Sequence, residues 1–275
     1  MAFAKINHVA IVSERYALLS KFYESLFGME PSKSGRSVRA VTVRDGYVGL
    51  NINPRKAGRP SGLDHFGVEV EDVEVVFERM RKNYPDANWV KRPSTRPFAG
   101  ITANDPDGNV FDLSQKNMAN RSEVYVENEK QAGAAPAARR ISHIAIRTMH
   151  PEKMAQFYAD VLELTPQNKK DGDPNFYLSD GRMTLMLIPW KIDNFIGQSI
   201  LPTGPDHIGF TVENLDTFKQ DLDEIIGINP VLNPIPVGKG KEGGARLDLL
   251  KTQCPISEFF VSDPDFTMLA VREDA

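Results

Sequence analysis

The stretch Asp105–Gln115, DPDGNVFDLSQ, combines a tight turn with a strand whose two faces differ in polarity. Proline fixes one turn dihedral and Gly108 supplies the positive φ that such a turn often needs, so we expect a turn over the first four residues. In the strand, Phe111 and Leu113 share one face, whereas Asp112 lies on the other. Because a buried acid is costly without a positive partner, the sequence predicts that a cation or cationic group meets Asp112.

Histidines lie near the start of four strand-like runs in which polar and apolar positions alternate. In each run the histidine shares its face with a small residue, and the opposite face is apolar. The histidines are His8, His65, His143 and His207, and the small residues are Ala10, Gly67, Ala145 and Gly209. We expect these faces to leave room for something to bind.

Length and composition limit the classes of protein. The chain has 275 residues, enough for two domains, with 41% hydrophobic residues, 25% charged residues and a net charge of −4. This balance gives no electrostatic bias towards nucleic acid or membrane, so we expect neither as a partner. The single cysteine, Cys254, excludes an intramolecular disulfide. Since the N-terminus enters a strand pattern at once and no apolar run approaches ~20 residues, we expect a cytoplasmic protein.

The second half of the chain is a diverged copy of the first. Lys5–Pro31 aligns without a gap with Arg140–Pro166, and the turns Asp45-Gly46 and Asp105-Pro106-Asp107 match Asp180-Gly181 and Asp263-Pro264-Asp265. Each half itself holds two units that open with a histidine strand and continue with a helix and a hairpin. The sequence therefore predicts a domain over residues 1–118, a polar linker over 119–139 and a second domain over 140–275.

Helix limits are predicted from caps and stops. The first helix should run from Tyr16 to Phe27, with Ser13 as a cap and Gly28 as a stop. Asp72 should precede the second helix, and Asn214 the fourth. The segment Asn233–Gly244 contains G-x-G-x-x-G but follows no strand, so a mobile hairpin or lid is the favoured interpretation.

Four βαβββ-like units in two pairs, a histidine at each unit start and the DPDG turn before a carboxylate strand resemble the vicinal oxygen chelate superfamily. That superfamily includes glyoxalase I, bleomycin-resistance proteins and extradiol dioxygenases. The resemblance covers both halves except the linker and the Asn233–Gly244 insertion. It implies an α+β fold of two cup-shaped, mostly antiparallel half-barrels of about eight strands each, with two helices on the outer face of each sheet.

In that superfamily a cup holds a divalent metal through side chains on the first and last strands of its units. The matching positions of the first cup are His8, His65 and Asp112, with Asn51 nearby. Two histidines and a carboxylate suit Fe(II), with Mn(II) or Zn(II) as alternatives. The resemblance therefore implies that His8, His65 and Asp112 are metal ligands.

The second cup is predicted to be degenerate. It offers His143 and His207, but Met186 and Ala270 occupy the last-strand positions where an acid is expected. A site that lacks a ligand loses much of its affinity, so we expect no metal there.

The resemblance implies an enzyme that binds a small-molecule substrate through vicinal oxygens, with an extradiol-type dioxygenase as the leading hypothesis. The alternatives are a glyoxalase-type lyase or an isomerase or epimerase, and a non-catalytic binding or resistance protein. Tyr47 shares strand parity with Asn51, which makes it the candidate catalytic acid or base. Arg39 and Arg96 are candidates for the cup rim. We expect a monomer or a weak homodimer.

Overall fold

A computed structural model describes residues 3–32, 40–55, 57–58, 60–92, 100–116, 136–192, 195–196, 199–200, 202–235 and 240–274. The first half contains β1 (Ala4–Ser13), α1 (Tyr16–Phe27), β2 (Glu30–Pro31), β3 (Val41–Arg44), β4 (Gly49–Pro54), β5 (Gly62–Val70), α2 (Val73–Asn83), β6 (Asn88–Lys91), β7 (Ile101–Asn104) and β8 (Val110–Gln115).

The second half repeats this order with additions. It contains β9 (Arg140–Thr148), α3 (Pro151–Leu162), β10 (Thr165–Pro166), β11 (Phe176–Ser179), β12 (Thr184–Pro189), β13 (Phe195–Ile196), β14 (Ser199–Ile200), β15 (Gly204–Val212), α4 (Leu215–Ile228), a 3₁₀ turn (Pro230–Leu232), α5 (Gly240–Gln253), β16 (Phe259–Ser262) and β17 (Met268–Glu273). The predicted linker lies mostly outside the described residues, so the domain limits stay a prediction.

Each half contains one large mixed sheet with its two histidine strands paired at the centre, and β13 and β14 of the second half form a separate two-stranded sheet. The first sheet has the order β2-β3-β4-β1-β5-β8-β7-β6, and the second has β10-β11-β12-β9-β15-β17-β16. The histidine strands run antiparallel to each other, and each runs parallel to the last strand of its own unit. The predicted α+β class and the cup-shaped half-barrels are confirmed.

The predicted ends of the helices agree with the structure, but the predicted Ser13 cap of α1 is wrong. Arg15 is the N-cap, and Ser13 accepts only the Arg15 amide at 2.7 Å, just before the helix begins. Gly28 ends α1 with a φ of 65°, a left-handed conformation that glycine adopts without strain. Asp72 caps α2 by accepting the Glu74 amide, and Asn214 caps α4. No described helix is long and apolar enough to cross a membrane.

Helices α1 to α4 pack between the two sheets, so the apolar faces of both halves share one core. Phe27 of α1 stacks on Phe210 of β15 with ring centroids 3.9 Å apart. Tyr158 of α3 lies against Phe66 and Phe111 of the first sheet. These four helices lie on the outer faces of the sheets, as predicted, but the two outer faces meet each other instead of solvent.

Aspartates of the repeated turns join the halves in reciprocal pairs. Tyr158 donates its hydroxyl to Asp105 at 3.0 Å, and Tyr23 donates to Asp263 at 3.0 Å. All four groups are buried. The turn that the sequence predicts at Asp105 thus also accepts a hydrogen bond from the other half.

A second reciprocal pair of contacts involves backbone amides of the first strands. Asp180 accepts the Ile6 amide at 2.7 Å, and Asp45 accepts the Ile141 amide at 2.8 Å. Each of these aspartates also accepts amides of its own turn, such as those of Tyr47 and Val48 at Asp45. Both turns are therefore held rigid while they bind the other half.

The segment Asn233–Gly244, predicted as a mobile hairpin or lid, instead contains the start of a helix. Gly240 begins α5, which continues to Gln253, and residues 236–239 lie outside the described residues. Leu250 is fully buried in the C-terminal cup, and Arg246 is buried against Asp206. These tertiary contacts stabilise a helix whose glycine-rich start disfavours it locally.

We predict that Tyr23→Phe and Tyr158→Phe each lower the free energy of unfolding by about 1–3 kcal/mol, because each leaves a buried carboxylate short of a donor. Chemical denaturation of the full chain measures this change. Tyr84→Phe is the matched control, since it removes a hydrogen bond to Asp160 in an exposed pair. An equal loss in the control variant would contradict the buried role.

Candidate metal centre

The first cup is built on three adjacent strands, β1, β5 and β8. His8 pairs in register with Gly67, and Gly67 pairs with Asp112, so these three residues form one row across the sheet. A Cβ placed on Gly67 would lie 1.9 Å from Cε1 of His8. The imidazole of His8 therefore crosses directly over this glycine towards Asp112.

The predicted ligand atoms converge on one carboxylate oxygen. Asp112 Oδ2 lies 3.3 Å from Nε2 of His65 and 3.9 Å from Nε2 of His8. The two imidazoles are nearly perpendicular, with ring centroids 5.6 Å apart. His8 and Asp112 are buried, while His65 is partly exposed and gives the cluster an open side.

This donor set fits a divalent metal ion. Metal bonds of roughly 2.1 Å at right angles place neighbouring donors about 3 Å apart. The observed separations of 3.3 and 3.9 Å therefore require the side chains to move together by less than about 1 Å. Two imidazoles and one carboxylate also match the ligand preference of Fe(II).

Polar neighbours hold the Asp112 carboxylate in place. Arg92 Nη2 lies 2.8 Å from Oδ1, Arg92 Nη1 donates to Oδ2 at 3.2 Å, and Thr102 donates to Oδ1 at 3.2 Å. Burial raises the pKa of Asp112, but His65, His8 and Arg92 outweigh it and lower the pKa below its usual value. The predicted positive partner of Asp112 thus includes Arg92, which sequence reasoning missed.

The other ring nitrogens of the histidines are held by neighbours in the chain. His65 Nδ1 lies 2.7 Å from Asp64 Oδ2, and His8 Nδ1 lies 2.9 Å from Asn7 Oδ1. When Nδ1 donates to these oxygens, the Nε2 lone pairs face the centre of the cluster. Burial lowers the pKa of His65, but hydrogen bonds to Asp112 and Asp64 outweigh it and raise the pKa to about 9.

A family model for the Glyoxalase/Bleomycin resistance protein/Dioxygenase superfamily matches residues 5–113 and 140–239. The chain belongs to this superfamily.

Solved structures of the superfamily share the fold of the whole chain. The 2,3-dioxygenase LapB from Pseudomonas sp. KL28 aligns with a TM-score of 0.62 at 13% identity, covering 98% of this chain and 92% of that one. The Mn(II)-bound glyoxalase from Novosphingobium aromaticivorans aligns with a TM-score of 0.60 at 14% identity, covering 98% and 81%. A catechol 2,3-dioxygenase aligns with a TM-score of 0.63 at 12% identity, covering 100% and 89%.

Tyr47 does not lie where its strand parity predicts. Its hydroxyl donates to Asp180 of the other half at 3.1 Å, and its ring packs on the core between the sheets and under Lys5 and Arg182. The parity argument is wrong because Tyr47 precedes β4, within the turn that Asp45 organises. Its predicted role as catalytic acid or base therefore has no support.

Other predicted positions of the cups are described in part. Asn51 is buried, and its Oδ1 accepts the Thr42 hydroxyl at 2.9 Å. Arg39 and Arg96 lie outside the described residues. In the C-terminal cup, Met186 and Ala270 lie in an apolar cluster with Leu250 of α5 and with Cys254. The sequence did not predict that Cys254 lies beside His143 and His207.

We predict that Gly67→Ala weakens Mn²⁺ binding at least about tenfold, because a methyl group at this position displaces the His8 imidazole. Titration followed by electron paramagnetic resonance measures the free ion. Gly209→Ala is the matched control, since its Cβ would collide with His143 in the other cup at 1.8 Å. Weakening by the control variant and not by Gly67→Ala would contradict the site assignment.

The metal-free protein should lose stability as pH rises from about 6.5 to 9. The pKa of His65 is about 9 when folded, above its unfolded value of ~6.5, so its stabilisation is complete below 6.5 and is lost as pH rises through 9. The expected loss is at most about 3–4 kcal/mol. Denaturation in a chelator should show this slope for the native chain and for His150→Gln but not for His65→Gln. If stability fell with pH equally steeply in His65→Gln, the pH dependence could not be assigned to His65.

Proposed function

We propose that this protein is a metal-dependent enzyme that binds a small molecule through two adjacent oxygens, and that its reaction is extradiol-type ring cleavage by O₂. The convergence of His8, His65 and Asp112 on one point in the first cup supports this proposal. The proposal is also supported by the dioxygenases whose structures share the fold of this chain.

A metal ion held by these residues would act as a Lewis acid for the substrate oxygens and, as Fe(II), would supply the electrons that activate O₂. The chain supplies three ligands, which leaves coordination positions for the substrate. Asp112 contributes the only charge among these ligands, and Arg92 keeps that carboxylate ionised and oriented. Asp64 holds the Nδ1 proton of His65, so that Nε2 stays available as a donor.

Ring cleavage is favoured over a glyoxalase-type reaction by the state of Asn51. Glyoxalase I, which this chain resembles, has a long acid or a glutamine at the position of Asn51. Asn51 is short and neutral, and its oxygen already accepts the Thr42 hydroxyl. We therefore propose three protein ligands and Fe(II), with Mn(II) or Zn(II) as alternatives.

The proposal also concerns the oligomeric state of the protein. Each half already packs its outer sheet face against the other half, and these faces are buried in one core. A second copy of the chain is not needed to cover them, so a monomer or weak homodimer is proposed.

We predict that Fe(II)-loaded protein consumes O₂ with a member of a panel of catechols, and that Asp112→Ala lowers this rate to background. Asp112→Asn should retain part of the metal affinity, because it keeps the shape and loses the charge. An oxygen electrode and product absorbance measure the reaction. Tyr47→Phe is the control and should react like the native chain, since its hydroxyl binds Asp180 between the halves.

Two results would contradict the proposal in different ways. Bound metal without O₂ uptake, combined with isomerisation of a hemithioacetal, would indicate the lyase or isomerase alternative. Tight binding of a panel compound with equal affinity in native protein and Asp112→Ala would indicate a non-catalytic binding protein.

A further inference from the structure

The C-terminal cup contains three donor atoms from segments that are distant in sequence. His143 Nε2 of β9 lies 3.1 Å from His207 Nε2 of β15, and Cys254 Sγ, just after α5, lies 3.8 Å from His143 Nε2. All three side chains are buried. We propose that they form a second metal site, independent of the first cup, that takes a thiophilic ion, with Zn²⁺ as its occupant.

The spacing of the donors matches a tetrahedral ion. Bonds of roughly 2.05 Å to nitrogen and 2.3 Å to sulfur give N···N and N···S edges of about 3.3 and 3.6 Å. The observed edges are 3.1 and 3.8 Å. These two edges are within a few tenths of an ångström of the tetrahedral values, and all three donor atoms lie within 4.8 Å of one another. A water-sized ligand would complete the tetrahedron.

Neighbouring charges prepare His207 to bind a metal. Its Nδ1 lies 2.8 Å from Asp206 Oδ2, and Asp206 is buried between the guanidinium groups of Arg147 and Arg246. A carboxylate held in this way keeps the imidazole proton on Nδ1, which leaves the Nε2 lone pair facing the other donors. Arg246 belongs to α5, so the same helix brings both this support and the thiol.

The composition of the cup selects the type of ion. The last-strand positions carry Met186 and Ala270, and the surroundings of Cys254 are apolar. Without a carboxylate ligand the site does not favour hard ions, whereas a thiolate and two imidazoles favour Zn²⁺. A hydrogen bond between the two imidazoles, with the thiol in contact with both rings, is the metal-free alternative.

A metal here would tie the end of α5 to both histidine strands. The sequence predicted no metal because it offered no acid at the last-strand positions. The structure instead supplies the sulfur of Cys254, the residue that follows α5. Because the donors are buried, the ion can exchange only when α5 moves away from the cup. We therefore expect slow release to chelators, in contrast to the first cup, where His65 is partly exposed.

Cobalt substitution of the full chain tests the site. Co²⁺ bound to a thiolate gives a sulfur-to-metal charge-transfer absorption that nitrogen and oxygen ligands do not give. We expect this absorption in the native chain and in Asp112→Ala, and its loss in Cys254→Ala. Met186→Leu is the matched control, since it removes a different sulfur from the same apolar cluster and should keep the absorption.

Zinc content gives a second measurement. After dialysis against chelator, Cys254→Ala should hold about one equivalent less Zn²⁺ than the native chain. Native protein that binds Co²⁺ without thiolate absorption would overturn the proposal, even if Cys254→Ala fails to fold. Equal zinc content in native protein and Cys254→Ala would also overturn it. Neither result bears on the first cup, which Asp112→Ala tests separately.

Discussion

Each cup can hold its first histidine only because the facing residue on the neighbouring strand is a glycine. A Cβ on Gly67 or on Gly209 would lie within 2 Å of the imidazole of His8 or of His143. Since the histidine strands are paired at the centre of each sheet, this close approach brings the imidazole within reach of the next strand. The donor clusters of both cups depend on this contact.

The two cups use this shared arrangement differently. In the first, Asp112 on the last strand meets the histidines, and Arg92 and Thr102 hold its carboxylate. In the second, Ala270 stands on the last strand, and α5 fills the space above it. The acid of the second cup, Asp206, lies beside a histidine in sequence and binds two arginines.

Sequence alone predicted the features that follow local periodicity. The alternation of polar and apolar residues predicted that Asp112 and Phe111 lie on opposite faces of β8. The internal repeat predicted that the four histidines occupy equivalent positions in the two sheets. Parity failed for Tyr47, because a turn that Asp45 organises interrupts the alternation before β4. Cys254 and α5 could not be placed, since tertiary contacts of Leu250 and Arg246 decide their position and leave no periodic pattern.

The reciprocal contacts between the halves have the form of an interface between two identical subunits. Tyr23 binds Asp263 as Tyr158 binds Asp105, and Ile6 binds Asp180 as Ile141 binds Asp45. In a homodimer with such an isologous interface, every substitution occurs twice. Covalent duplication removes that restriction, so one copy can accept an inserted helix while the other keeps an open cup.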